Sequence, residues 1–137
     1  MRTEQPILLA EDDDVDAKAV VRTFKDLKIM NPLVIKRNGE EALAHLRSPA
    51  SGRPCLILLD LNMPKMSGLE FLQEIKKDKM LRRIPVVVFT TSSYDGDKIK
   101  SFDFGVAGYM LKPTDPQKFS EVLRTVGLYW TASELPE

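Results

Sequence analysis

The sequence predicts one α/β domain with five strand–helix units around an open parallel sheet. Apolar runs alternate with helical patterns, at 7–10, 33–35, 55–59, 86–89 and 108–111. Three of these runs are continuously apolar and rich in Val, Ile and Leu, which is typical of parallel strands buried on both faces. Right-handed crossovers in a (βα)5 chain favour the flavodoxin-like strand order 2-1-3-4-5.

Each apolar run is followed by a segment with the spacing of an amphipathic helix. The first helix is predicted from about Asp13, and its core face would carry Val15, Ala19, Val20, Phe24 and Leu27. Asn38 precedes a short second helix through residue 46, and Ser67 with Glu70 has the spacing of a capping box. The fourth helix is predicted over 95–104. Asp115, followed by a proline, predicts the start of the fifth.

Composition excludes several classes of protein. Charges balance, with 20 basic and 20 acidic residues, and no long basic run indicates a nucleic-acid or membrane surface. The longest apolar stretches are too short for a transmembrane span or a signal peptide. Cys55 is expected to be buried and fits a reducing, cytoplasmic compartment, and His45 is given no role. We expect a domain over 1–130 and a short tail at 131–137.

Polar residues follow four of the predicted strands at the point where each strand ends. Glu11 and Asp12 follow the first, Asp60 the third, Thr90 the fourth and Lys112 the fifth. Ligand sites of open α/β sheets lie at the carboxyl ends of the strands. The first and third strands are central neighbours in the predicted order, so the three acids are expected to meet.

Crowded carboxylates repel, and either a proton or a cation must relieve that repulsion. Oxygen ligands favour Mg²⁺, which suits Asp12, Asp60 and a backbone carbonyl, with Glu11 contributing through water. Asp60 is the best candidate nucleophile, because a carboxylate can form an aspartyl phosphate and this one ends a central strand. Lys112 would add positive charge and Thr90 a hydroxyl donor.

Each of these residues has an ordinary explanation when taken alone. Acidic runs usually begin solvated helices, where they favour the helix dipole. An isolated aspartate can cap a loop, and an isolated lysine is usually solvated. Acids, a hydroxyl and an amine at four strand ends together favour a phosphoryl site, because four such residues are unlikely to occur there by chance.

At these positions the chain resembles the response-regulator receiver domain of two-component signalling, over roughly residues 5–130. The matching segments are ILLAEDD at 7–13, LLDLNMPKMSG at 58–68, PVVVFT at 85–90 and GYMLKP at 108–113. The resemblance implies that Asp60 accepts a phosphoryl group from a histidine kinase. Glu11, Asp12, Asp60 and the backbone carbonyl of Asn62 would then hold Mg²⁺ or Mn²⁺.

The resemblance also implies roles for residues around the phosphoryl group. Lys112 would pair with the phosphate, and Thr90 and Tyr109 would form a switch pair, with Thr90 moving toward the phosphate and Tyr109 turning inward. The bond between Lys112 and Pro113 is expected to be cis. Asn62 and Ser92 occupy positions that tune hydrolysis in the family.

Shorter segments resemble one subgroup, the stand-alone regulators of bacterial phytochromes. They are DLNMPKM at 60–66, TTS at 90–92 and Tyr129-Trp130. The resemblance implies a phytochrome-type sensor kinase as partner. With no output domain expected after residue 130, phosphorylation would act by changing a protein contact with a downstream partner that the sequence does not identify.

We expect a homodimer through the fourth helix, fifth strand and fifth helix, because the fifth strand is a sheet edge. That face is expected to carry Ile99, Phe102, Met110, Val126, Tyr129 and Trp130. We expect no nucleic-acid or membrane partner and no enzyme activity beyond slow self-dephosphorylation.

Three other functions share parts of this pattern. A flavin-binding electron carrier has the same predicted fold, but the acids at 11–14 would repel a phosphate monoester. An aspartate-nucleophile phosphatase usually has a second acid two residues after the nucleophile, where this chain has Asn62. A degenerate receiver that only binds partners would be expected to lack one of the acids, and none is missing.

Overall fold

The computed structural model describes residues 4–134 and contains a five-stranded parallel sheet in the order β2-β1-β3-β4-β5. The strands are β1 Ile7–Ala10, β2 Leu33–Lys36, β3 Leu56–Leu59, β4 Val86–Thr90 and β5 Gly108–Leu111. The helices are α1 Asp14–Asp26, α2 Gly39–Arg47, α3 Gly68–Lys76, α4 Asp95–Asp103 and α5 Pro116–Ala132, with a short 3-10 helix at Leu81–Arg83. The predicted fold class and strand order are confirmed.

Helices cover both faces of the sheet and divide the core into two layers. On one face α1 and α5 bury Phe24 and Leu123 against the sheet. On the other face α2 and α3 bury Leu43 and Phe71. Strands β1, β3 and β4 are buried along their whole length, as their continuous apolar runs predict.

Side-chain caps start four of the five helices, as their sequences predict. Asp13, Asn38 and Asp115 each accept a hydrogen bond from a backbone N–H in the first turn that follows. Ser67 and Glu70 form a complete capping box at the start of α3. These caps fix where α1, α3 and α5 begin, and therefore how the loops beside the strand ends are closed.

Three details differ from expectation. Val15 is 76% exposed, because the first turn of α1 projects beyond the sheet that the later turns cover. No peptide bond within residues 4–134 is cis, so the expected cis bond before Pro113 is wrong for this structure; the trans form is the intrinsically favoured one. Helix α5 runs to Ala132, so the first two residues of the expected tail are helical, and residues 135–137 lie outside the described part.

No helix within residues 4–134 combines the length and the apolar character needed to cross a membrane.

Candidate functional site

The central strands bring two distant acids together at the carboxyl edge of the sheet. Ala10 pairs with Leu59 at the ends of β1 and β3, so the residues that follow these strands are neighbours. The Asp60 N–H donates to the carbonyl of Ala10 at 3.0 Å, which fixes the backbone beyond β3. Glu11 and Asp60 are both buried there. The predicted convergence of the first and third strand ends is therefore present.

Lys112 follows the edge strand β5, and its side chain contacts the buried acids Glu11 and Asp60. Its N–H donates to the carbonyl of Thr90 at 2.8 Å, which continues the ladder between β4 and β5. Its side chain is 4% exposed and its ammonium donates to Glu11 at 2.5 Å, to Asp16 at 2.7 Å and to Asp60 at 3.0 Å. A buried lysine with three carboxylate partners is held in one place, because each N–H is satisfied.

The two oxygens of Asp60 face different donors. Oδ2 accepts from Lys112, whereas Oδ1 accepts from the hydroxyl of Thr90 at 2.8 Å and from the N–H of Asn62 at 3.1 Å. Thr90 is fully buried. The carboxylate therefore has a fixed orientation before any ligand arrives, which is the preorganisation that phosphoryl transfer requires.

A glycine allows α3 to begin directly against the loop that follows β3 at residues 60–62. A Cβ at Gly68 would lie 2.6 Å from the carbonyl oxygen of Asp60 and 2.6 Å from Cα of Leu61. The N–H of Gly68 donates to the carbonyl of Leu61 at 3.0 Å. No other residue type fits this close contact without moving the backbone of Asp60.

Three acids at this edge fit a hard divalent cation. Ligand oxygens of Glu11, Asp12 and Asp60 all lie within 4.8 Å of one another, and Asp12 is exposed to solvent. The donor set contains oxygen only, which suits Mg²⁺ or Mn²⁺ and not a zinc site. Asn62 follows Asp60 by two residues, so its backbone carbonyl lies in the same loop.

Electrostatics at the site follow from burial. Burial and, to a smaller extent, the charge of Asp60 raise the pKa of Glu11 to about 8, against the opposing effect of its hydrogen bond from Lys112. Burial alone would lower the pKa of Lys112, but its hydrogen bonds to Asp16 and Glu11 outweigh this and raise it. Lys112 is therefore a permanent cation among acids that gain from a second cation.

The predicted switch residues are linked to Asp60 through one loop. Besides donating to Asp60, the Thr90 oxygen accepts from the N–H of Ser92 at 3.3 Å. The hydroxyl of Tyr109 donates to the carbonyl of Ser92 at 2.8 Å, and the Ser92 hydroxyl donates to Asp97 at 2.5 Å. A hydrogen-bonded path thus joins the Asp60 carboxylate to α4 and to β5.

Sequence reasoning missed two polar residues at the site, Asp16 and Asp97. Asp16 lies in the first turn of α1, and Asp97 lies in the first turn of α4. One signal in the sequence indicates that these acids lie near the site: each is in the first helical turn after a strand and a short loop. That signal is weak, because acids are common in the first turn of any helix.

A groove of about 500 Å³ opens beside the site. Its walls are the start of α1 and the segment between β5 and the first turns of α5. Asp16, Thr91 and Lys112 are among its lining residues, together with the exposed Val15 and the half-buried Pro113. The groove therefore adjoins the pair formed by Asp16 and Lys112.

Comparisons with known proteins agree with this geometry. The sequence profile of the response regulator receiver domain matches residues 7–124. The response regulator Rcp1 of Synechocystis sp. is 40% identical over 128 residues, which cover 90% of this chain and 87% of that protein.

Two solved structures have nearly the same fold over almost the whole chain. The phosphorylated cyanobacterial phytochrome response regulator RcpA superposes with a TM-score of 0.93 at 35% identity, covering 98% of this chain and 99% of that one. The Mn²⁺-bound form of Rcp1 gives a TM-score of 0.92 at 38% identity, covering 97% and 99%. The chain belongs to the response-regulator receiver family, a family of signalling proteins and not of enzymes, and is related to phytochrome response regulators.

Proposed function

We propose that this receiver accepts a phosphoryl group on Asp60 from a histidine kinase and signals through a changed protein surface. One observation supports it most strongly: the Asp60 carboxylate lies between the Lys112 ammonium and the Thr90 hydroxyl, beside two further acids. Such a group neutralises and orients a transferring phosphoryl group. The relationship to response regulators supports the same chemistry.

In this proposal, the transfer step uses the side chains that surround Asp60. An Asp60 oxygen attacks phosphorus as the P–N bond of a phosphohistidine breaks, and the imidazole nitrogen leaves with the electron pair. Lys112 and Thr90 donate hydrogen bonds to the phosphoryl oxygens, and the Asn62 N–H orients the carboxylate. Mg²⁺, when held by Glu11, Asp12, Asp60 and the Asn62 carbonyl, would supply charge neutralisation.

The kinase is a sensor of the bacterial phytochrome type in this proposal. Its support is the similarity to Rcp1 and to the phytochrome response regulator RcpA along nearly the whole chain. The groove between α1 and the start of α5 would admit the phosphohistidine to the site. A cytoplasmic location is part of the same proposal.

The output surface in this proposal is the face formed by α4, β5 and α5. Phe102 is 54% exposed and Tyr129 is 64% exposed, and Ile99 on α4 is also exposed. Val126 is buried in the core and is not part of this surface. Because β5 is an edge strand and these residues are apolar, we propose that a second copy of the chain pairs with this face.

Acceptance of the phosphoryl group is tested with acetyl phosphate as donor. Intact mass spectrometry should show one added phosphoryl group with Mg²⁺ and none with EDTA. The same protein should take phosphate from an autophosphorylated bacterial phytochrome kinase faster than from an unrelated histidine kinase. Equal rates from both kinases would contradict the phytochrome partner and leave the acceptor function standing.

The dimer is tested by sedimentation equilibrium, with and without beryllofluoride as a phosphoryl mimic. Tyr129→Ser should weaken association, whereas Met80→Ser, an exposed apolar residue next to the 3-10 helix, should not. A monomer under both conditions would contradict the dimer.

A further inference from the structure

All the hydrogen-bonding capacity of the Lys112 ammonium is used in the structure. An ammonium has three N–H donors, and they are shared among Glu11, Asp16 and Asp60 at 2.5, 2.7 and 3.0 Å. For Lys112 to contact a phosphoryl oxygen, at least one of these acids must lose its hydrogen bond from the ammonium. The identity of the acids that remain decides how strongly the lysine holds the phosphoryl group.

Asp16 differs from the other two partners in what else it contacts. Glu11 and Asp60 belong to the three acids whose oxygens lie close enough to share a cation, and Asp16 does not. Its side chain is 25% exposed, and it lines the groove beside the site. A cation held by Glu11, Asp12 and Asp60 would engage two of the three partners of Lys112 and would leave the bond from Lys112 to Asp16 in place.

Charge decides the consequence of that bond. Conversion of the Asp60 carboxylate to an acyl phosphate adds about one negative charge to a site that is already acidic. A carboxylate in direct contact with Lys112 neutralises part of the positive charge that the phosphoryl group needs. Building on the proposed acceptor function, we propose that Asp16 is a positioning residue that competes with the phosphoryl group for Lys112 and so limits how tightly the site holds it.

The same turn of α1 offers a matched control. Asp14 also lies in the first turn of α1, but it pairs with Arg37 and is largely exposed. Replacing Asp14 by Asn removes the same charge from the same helix end without touching Lys112. Asp14→Asn and Asp16→Asn therefore alter the helix dipole and the net charge in the same way. Only Asp16→Asn also removes a contact with Lys112.

The experiment measures the affinity of beryllofluoride in Mg²⁺ by fluorine NMR. Asp16→Asn should bind roughly threefold to tenfold more tightly than the original protein, which corresponds to about 0.7–1.4 kcal/mol. Asp14→Asn and the charge-conserving Asp16→Glu should stay within about twofold. Unchanged or weaker binding by Asp16→Asn, or an equal gain for Asp14→Asn, would overturn the proposal.

A second pair of variants tests whether the effect passes through the lysine. In a Lys112→Gln background, Asp16→Asn should produce no further gain in affinity, because the competed cation is gone. A full gain in that background would overturn the proposal. Asp16→Ser is the alternative neutral variant if circular dichroism shows that the amide does not fold.

The two levels of the proposal fail differently. If the original protein binds no beryllofluoride in Mg²⁺, the acceptor function itself fails. If the original protein binds it and Asp16→Asn binds it equally well, only the role of Asp16 fails.

Discussion

The hydroxyl of Thr90 donates a 2.8 Å hydrogen bond to Oδ1 of Asp60, although 30 residues separate the two in sequence. The same Thr90 oxygen accepts from the Ser92 N–H, and the Ser92 carbonyl accepts from Tyr109. A change at the Asp60 carboxylate therefore has a direct route to β5. Two-state switches work through such local changes in hydrogen bonding that bias another surface.

Replacement of Thr90 should separate the chemistry from the switch. Thr90→Val keeps the shape but leaves Asp60 and the Ser92 N–H each without one partner, which should lower the free energy of unfolding by about 1–3 kcal/mol. Phosphorylation should still occur, whereas the beryllofluoride-induced shift of the Tyr109 ring signals in NMR should disappear. Thr90→Ser retains the hydroxyl and should retain the shift, and a normal shift in Thr90→Val would contradict the route.

Tyr109 should make the free energy of unfolding fall at high pH. Burial raises the pKa of the Tyr109 hydroxyl, and the charges of Asp97 and Asp60 act in the same direction. Folding therefore favours the neutral phenol, and this contribution is complete below the unfolded pKa of about 10. It is lost as pH rises through the higher folded pKa.

Urea unfolding between pH 9 and about pH 11 should show this loss. The free energy of unfolding should decline more steeply for the original protein than for Tyr109→Phe. Coincident pH profiles would show that Tyr109 is not in the environment described.

Without Lys112, bound Mg²⁺ should become the main cation that neutralises the acids of the site. Lys112→Ala leaves Glu11, Asp16 and Asp60 without their shared cation, so the melting temperature in EDTA should fall markedly. Mg²⁺ should restore much of the lost melting temperature, so the Mg²⁺-induced rise in melting temperature should be larger than in the original protein. The overall fold should be retained. Phosphorylation of this variant should not move the Tyr109 signals.

A surface lysine provides the control for that experiment. Lys98 pairs only loosely with Asp95 at 3.7 Å, so Lys98→Ala should behave as the original protein does. A Mg²⁺-induced rise in Lys112→Ala no larger than in Lys98→Ala would contradict a shared electrostatic site.

The close contact at Gly68 should connect helix packing to the acceptor loop. Gly68→Ala places a Cβ about 2.6 Å from the Asp60 carbonyl oxygen, so β3 and α3 must separate. We expect a loss of stability of about 1–3 kcal/mol and weaker Mg²⁺ binding. Gly52→Ala is the matched control, because its Cβ would lie at an ordinary 3.7 Å from Pro6. Equal Mg²⁺ affinities for the two variants would contradict the connection.

The sequence predicted those features that depend on strong local patterns. Continuous apolar runs identified the central strands, and the caps Asp13, Asn38 and Asp115 identified helix starts to within a residue. Only a few strand orders are compatible with right-handed crossovers, and the predicted order makes β1 and β3 neighbours. Glu11 and Asp60, which follow these strands, were therefore expected to meet. Fold and the approximate location of the site were therefore predictable.

Contacts that depend on three-dimensional packing were not predictable. The bond from Lys112 to Asp16 joins residues 96 apart in sequence and depends on how far α1 projects past β1. The exposure of Val15 has the same origin, since helical spacing identifies a face but not where the sheet beneath it ends. Asp97 was missed because its partner, the Ser92 hydroxyl, is oriented by the loop and not by any periodic pattern.

Chemical mapping of the phosphorylated residue tests the central claim most directly. The protein is treated with acetyl phosphate and Mg²⁺, the acyl phosphate is reduced with borohydride, and peptides are sequenced by mass spectrometry. We predict homoserine at position 60 alone, none with EDTA, and no labelling of Asp60→Asn, while Asp103→Asn, which alters an exposed acid at the end of α4, is labelled normally. Homoserine at another aspartate, hydroxynorvaline at a glutamate, or undiminished labelling of Asp60→Asn would contradict the account.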